Sequence, residues 1–203
     1  VIELVAKDIT GLILAGGEGR RMDNRDKGLV TLVDKSLVQY AIECLQPLTH
    51  TQIISCNRNR DAYQAYGLPL IADDERWSLL GPMAGIYSGL KVIETDWLMV
   101  MPCDTPLMQI DVMALLKQLS HDGVKAHILA WQGWEPLHAV YHKDLLPLLE
   151  HQLNSGRTGM QHFLHQLEDD ALQISEITSA QNAFRNTNNV TELSQIEEIL
   201  RGK

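Results

Sequence analysis

At 203 residues the chain has room for one domain with a proper core, or one and a half at most. Its 45% hydrophobic and 21% charged residues exclude disordered, collagen-like and disulfide-stapled classes. Lys plus Arg number 17 against 26 for Asp plus Glu, a formal net charge of -9, which argues against bulk binding to nucleic acid or to an anionic membrane. A partner carrying several phosphates therefore needs a local positive cluster.

Cys44, Cys56 and Cys103 are too few, too scattered and odd in number for a disulfide framework or a structural zinc site, so a reducing cytoplasm is the expected location. No apolar run approaches the roughly 18 to 20 residues of a membrane span. The first residues, VIELVAKD, lack the basic start and apolar core of a signal peptide. A soluble protein without membrane partners is expected.

Apolar runs of strand length alternate with segments of helical period, which predicts an α/β fold: a mainly parallel sheet flanked by helices on both faces, in a single domain. The first strand is predicted at Thr10 to Ala15, followed by a glycine-rich loop and a helix from about Ser36 carrying Leu37, Tyr40, Ala41, Cys44 and Leu45. A second strand fits Gln52 to Cys56, a short helix Asp61 to Tyr66, and a brief strand Pro69 to Ala72 that ends on Asp73 and Asp74. Gly81-Pro82 then reads as a turn before a helix from about Met83 to Ile93. The strongest buried strand is WLMVM at 97 to 101, which stops at Pro102-Cys103-Asp104-Thr105-Pro106. Beyond it the pattern predicts a helix near 109 to 120, strands near 125 to 131 and 136 to 141, two helices between 143 and 167, and a last helix from Val190 to Leu200 capped by Asn189. Ligands of open α/β sheets bind outside the carboxyl ends of the strands, so the residues that follow each apolar run are the ones to examine.

Two such clusters stand out. In LAGGEGRRMDNRDKGL, residues 14 to 29, Gly16 and Gly17 directly follow a strand and let backbone N–H groups approach an anion. Arg20, Arg21, Arg25 and Lys27 supply the positive cluster that the net charge requires. No Gly-Lys-Ser/Thr closes the loop as in a Walker A motif, and the third glycine of a dinucleotide fingerprint is missing. Strand, glycines and cations together point to a triphosphate site. In MPCDTP, at 101 to 106, Asp104 follows a central strand and is a candidate ligand for Mg²⁺, a hard ion that takes oxygen donors. Taken alone, Asp-Thr-Pro would read as an Asx turn or helix cap.

The order LAGGxGxRM, DKGL, GPMAGI, PCDTP and Asn-x-Asn resembles the molybdenum cofactor guanylyltransferase family (MobA), within the nucleotidyltransferase superfamily, from about Thr10 to Leu200. The LAGG-to-Lys segment is shared with sugar-nucleotide and cytidylyl relatives, whereas DKGL with GPMAG, CDTP and NTN is the more specific set. The resemblance implies a Rossmann-like nucleotidyltransferase fold, with residues about 10 to 106 serving the nucleotide and about 107 to 203 the second substrate. It implies that Leu14, Ala15, Gly16 and Gly17 contact GTP, that Arg21 and Lys27 bind phosphates, that Asp73 contacts the nucleotide, and that Asp104 holds Mg²⁺ beside it. Whether Asp73 meets guanine or ribose hydroxyls is open. Asn186 and Asn188 match the pair used on the molybdopterin side.

Two features depart from the family. Asp23 and Asn24 stand where glycines are usual, and the asparagine at the end of the second strand aligns with Ser55, with Asn57 two residues later. The implied reaction is attack by the terminal phosphate of molybdopterin on the α-phosphorus of GTP, releasing pyrophosphate. No Ser-His-Asp or Cys-His pattern calls for a protein nucleophile. Molybdoenzymes, their chaperones or other cofactor-biosynthesis proteins are the implied protein partners. Two alternatives stay open: a cytidylyltransferase acting on molybdopterin or on a sugar or polyol phosphate, and a non-catalytic nucleotide-binding regulator. The histidines, including His138, His142, His162 and His165, read as surface or structural residues, and Trp77, Trp131 and Trp134 mainly as packing. Arg157 reads equally as a phosphate contact or a helix-start residue.

Overall fold

The computed structural model describes residues 1–15, 26–78 and 80–202. Seven strands form one sheet: β1 (Ile9–Leu14), β2 (Thr51–Ser55), β3 (Leu70–Ile71), β4 (Trp97–Pro102), β5 (Ala126–Ala130), β6 (Trp134–His142) and β7 (Leu172–Glu176). Their spatial order is β7-β5-β6-β4-β1-β2-β3. β1 lies between β2 and β4 in parallel register, so that Leu14 stands beside both Ser55 and Pro102. The predicted α/β class with a mainly parallel sheet is thus observed. One strand runs the other way, because β5 and β6 are joined only through Trp131, Gln132 and Gly133 and pair antiparallel. A parallel return needs a crossover of a dozen residues or more, which so short a connection cannot supply.

Side chains alternate across the sheet with the period of two that a strand imposes. Ile9, Ile13, Met99 and Met101 pack with Val38, Ala41 and Leu45 of α1 (Leu37–Leu45) and with Met113 of α4 (Ile110–Ala114). Leu12, Leu98 and Val100 pack on the opposite face with Met83, Ile86 and Leu90 of α3 (Pro82–Val92). That face also receives Leu149 and Leu153 of α5 (Leu146–Asn154) and Phe163 of α6 (Met160–Leu164). Helices therefore cover both faces, as the pattern predicted. α3 comes close to the sheet because it carries glycine where it crosses β1. A Cβ at Gly85 would lie 3.0 Å from Leu14 Cδ2, and one at Gly89 3.0 Å from both Leu12 Cδ2 and Leu98 Cδ2.

The remaining α-helices among the described residues are the short α2 (Arg60–Gln64) and the longer α7 (Val190–Arg201). The expected cap of α7 is present: Asn189 Oδ1 accepts from the backbone N–H of Glu192. Ile196 and Leu193 then seat the helix on Leu32, Leu37 and Leu107. Two points differ from expectation. The helix near 109 to 120 ends at Ala114 and gives way to a tight turn, because Gln118 and Leu119 pair with Glu3 and Ile2 in a small ladder. β7 was not anticipated; its burial is only partial, so its apolar residues make no strong run. Of the two roles open to His138, surface or structural, the structural one is observed: it is buried within β6. Among the described residues, no helix is long and apolar enough to cross a membrane.

Candidate active site

The carboxyl ends of β1, β2, β3 and β4 lie side by side, and the predicted residues lead out of them. Lys27 opens a tight turn at Lys27–Leu29. Its Nζ donates to Asp104 Oδ2 at 2.7 Å and to Asn188 Oδ1 at 2.6 Å, joining segments 77 and 161 residues apart. Asp104 follows β4 directly, and its backbone carbonyl accepts from the Thr187 N–H at 2.9 Å. Thr187 thereby fixes the Asn-x-Asn segment to the acidic loop. Asn188 is held from its other side, since its N–H donates to Glu192 Oε2 at 2.6 Å on the first turn of α7. Asn186 is exposed, so of the asparagine pair it is Asn188 that joins Lys27 and Asp104.

Asp73 lies just beyond β3. Asn57 donates through Nδ2 to Asp73 Oδ2 at 2.7 Å and accepts the Asp73 N–H on Oδ1 at 2.9 Å. Ser55, by contrast, is buried, and its carbonyl accepts the Ala15 N–H at 3.0 Å. The asparagine after the second strand that faces Asp73 is therefore Asn57. A Cβ at Gly85 would be 3.1 Å from Ser55 Oγ and 3.6 Å from Asp73 Oδ1, which places the first turn of α3 in the same cleft. Of the acidic pair, Asp74 is committed elsewhere. Arg76 and Lys91 reach its carboxylate, and the Arg76 hydrogen bonds hold it well below the usual carboxylate range.

Leu14 and Ala15 mark the tip of β1. The Leu14 carbonyl accepts from Cys103 N–H at 3.1 Å, which carries the β1 to β4 pairing up to the residue before Asp104. Gly16, Gly17 and Arg21, with Arg20, Asp23, Asn24 and Arg25, lie outside the described residues.

Cys103 is buried beside Asp104, and burial first, then the neighbouring carboxylate, pushes its thiol up and away from the thiolate. It offers no nucleophile. His138 Nε2 lies 3.0 Å from Thr105 Oγ1, and its ring meets Phe184 edge-on with centroids 5.2 Å apart. Trp131 stacks on the same Phe184, while Trp77 packs edge-on against Tyr87, so packing is the observed role of both. Trp134 lies against His165. Arg157 is exposed just beyond α5.

Sequence reasoning missed several residues of this set. Thr187 and Glu192 were given no role, because a polar residue that braces a loop has no characteristic spacing, and His138 was read only as a surface or structural histidine. Asp26 stood in the quoted DKGL motif without a role. Its carboxylate is buried, with Tyr63 and Asn59 as donors.

A family model described as the MobA-like NTP transferase domain matches residues 11–171. Molybdenum cofactor guanylyltransferase of Pseudomonas putida is 38% identical over 166 residues, covering 81% of this chain and 86% of that protein. The protein of that name from Pseudomonas aeruginosa (strain LESB58) is 38% identical over 169 residues, covering 81% and 83%. Among solved structures, molybdopterin-guanine dinucleotide biosynthesis protein A from Archaeoglobus fulgidus has this fold, with a TM-score of 0.78 and 23% identity over 96% of this chain and all of that one. With the strand-end cleft and these relatives in view, the chain belongs to the MobA-like NTP transferase family.

Proposed function

We propose that this protein transfers GMP from GTP to the terminal phosphate of molybdopterin, forming the guanine dinucleotide and releasing pyrophosphate. The observation that carries this reading is Lys27, whose ammonium joins Asp104 and Asn188 at the strand ends. One cation thus connects the nucleotide loop, the acidic loop and the segment assigned to the second substrate. Support also comes from the relatives named guanylyltransferases.

In this reading an oxygen of the acceptor phosphate forms a bond to the α-phosphorus of GTP, and the bond from that phosphorus to the β-phosphate bridging oxygen breaks. The acceptor is already an anion, so no protein base or nucleophile is required and catalysis comes from positioning and charge neutralisation. Lys27 with Arg21 holds the departing pyrophosphate, while Leu14, Ala15, Gly16 and Gly17 receive the nucleotide on backbone groups. Asp73, oriented by Asn57, accepts hydrogen bonds from guanine or ribose. Asn186 and Asn188 serve molybdopterin, so that residues 10–106 and 107–203 supply the two halves of the site.

Asp104 is a single, mostly buried carboxylate that keeps some access to solvent, and among the described residues no group of three or more His, Cys, Asp or Glu could hold an ion unaided. That donor set fits Mg²⁺, which is commonly held by one or two carboxylates together with substrate phosphates and water. Asp104 would hold the ion, which when bound would neutralise charge on the phosphate oxygens. A large, labile product is best handed on directly, which makes a molybdoenzyme or its chaperone the implied partner.

The test is calorimetric titration with GTP and CTP, with and without Mg²⁺, followed by pyrophosphate release with molybdopterin. GTP preference with turnover is expected. CTP preference would reassign the chain as a cytidylyltransferase, and binding without turnover would make it a regulator.

A further inference from the structure

The buried hydroxyl of Tyr63 meets both sides of the segment that begins after β1 and ends at Lys27. It donates to Asp26 Oδ1 at 2.5 Å and lies 3.5 Å from the carbonyl oxygen of Ala15. Its single proton goes to the nearer acceptor, the Asp26 carboxylate. Gly28 closes the contact: a Cβ there would fall on the Tyr63 hydroxyl and lie 3.3 Å from Ala15 Cβ. Tyr63 itself is fully buried on α2.

Asp26 is held from a second direction. Asn59 donates to Oδ2 at 2.9 Å, and Arg58 Nε lies 3.6 Å from the same oxygen. Asn59 adopts a left-handed backbone, φ 52°, which asparagine tolerates better than most residues, and precedes α2, where its carbonyl accepts the Ala62 N–H at 2.9 Å. A buried carboxylate is costly unless hydrogen-bonded, and here donors reach both oxygens. The backbone carbonyl of Asp26 meanwhile accepts from Leu29 N–H at 3.1 Å and starts the turn that carries Lys27. Side chain and backbone of one residue thus tie the Lys27 turn to α2, whose Tyr63 hydroxyl also lies beside Ala15 at the tip of β1.

We propose that Tyr63 and Asp26 form a positioning clamp that sets Lys27 over the strand ends, so that their influence on nucleotide binding runs through the Lys27 ammonium. Neither is a catalytic residue. The proposal rests on the reading of Lys27 as a phosphate ligand.

The experiment is a double-mutant cycle on GTP affinity, measured by calorimetry on the full chain, with thermal melting as a control for folding. Tyr63→Phe removes only the hydroxyl and is expected to weaken GTP binding about tenfold, whereas in a Lys27→Ala background the same change should alter affinity less than twofold, because the clamp then has no ammonium to place. A merely structural role would cost the same in both backgrounds. Equal losses, or no loss from Tyr63→Phe alone, would overturn the clamp. Should Tyr63→Phe fail to fold, Asn59→Ala strips a donor from the same carboxylate and completes the same cycle. Wild-type protein that binds neither GTP nor CTP would overturn the nucleotide assignment and the clamp with it; wild-type binding with equal losses would overturn the clamp alone.

Discussion

Lys27 Nζ and Asp104 Oδ2 stand 2.7 Å apart, in a pair whose side chains keep 16% and 23% of their exposure. Partly solvated pairs contribute only about 0 to 1 kcal/mol to folding. Their value in this protein is positional: without a nucleotide, the cation that would meet phosphates is kept beside the carboxylate that would meet a metal ion.

It follows that removing either charge should affect catalysis far more than folding. Lys27→Ala and Asp104→Ala are each expected to lower kcat/KM about 100-fold or more, close to 3 kcal/mol of transition-state stabilisation, with only a small shift in melting temperature. The double variant should be little worse than either single one, as for residues that act as a unit. Steady-state pyrophosphate release on the three variants checks this.

Asn57 orients Asp73 through two hydrogen bonds. Asn57→Ala should therefore weaken GTP binding by about 1 to 2 kcal/mol, roughly 5- to 30-fold, while kcat at saturation changes little. A fall in kcat with unchanged KM would assign Asn57 to the reaction rather than to recognition.

Gly89 lies where α3 crosses β1, and a Cβ there would meet the fully buried Leu12 and Leu98 side chains at 3.0 Å. Two buried side chains would have to shift at once, so Gly89→Ala should lower stability by about 1 to 3 kcal/mol despite the better helix propensity of alanine. Urea unfolding measures it, and a gain in stability would show that the helix can shift.

Acid should destabilise the fold through His127. Burial pushes this imidazole down to about 4, with Ser175 Oγ at 2.8 Å and the Leu116 carbonyl at 3.2 Å. The unfolded chain, with an ordinary histidine, binds the proton first, so stability is complete above about pH 6.5 and falls as pH drops toward 4. His127 accounts for at most about 3 kcal/mol of that loss, order of magnitude only. His142, lowered mainly by burial, contributes in the same direction. His127→Gln should flatten the pH dependence between 6.5 and 4; an unchanged slope in urea titrations would assign it to other groups.

The local elements were legible because they rest on local physics. WLMVM reads as a buried strand from its composition, Gly81-Pro82 as a helix start, and Asn189 as a cap, each decided within a few residues. Asp73 and Asp104 were legible as candidates because they follow apolar runs, and strand ends are where an α/β sheet binds ligands; Lys27 was legible as one of four cations after a strand and two glycines. Which side chains would meet was decided only by the tertiary structure. Thr187 on Asp104, Asn57 rather than Ser55 on Asp73, and Tyr63 between Ala15 and Asp26 are partnerships across 16 to 83 residues. They depend on strand order and register, which packing of the whole chain selects and no local pattern encodes. The reversed β6 belongs to the same class in part: its three-residue connection was written in the sequence, but its place between β4 and β5 came from burying both of its faces.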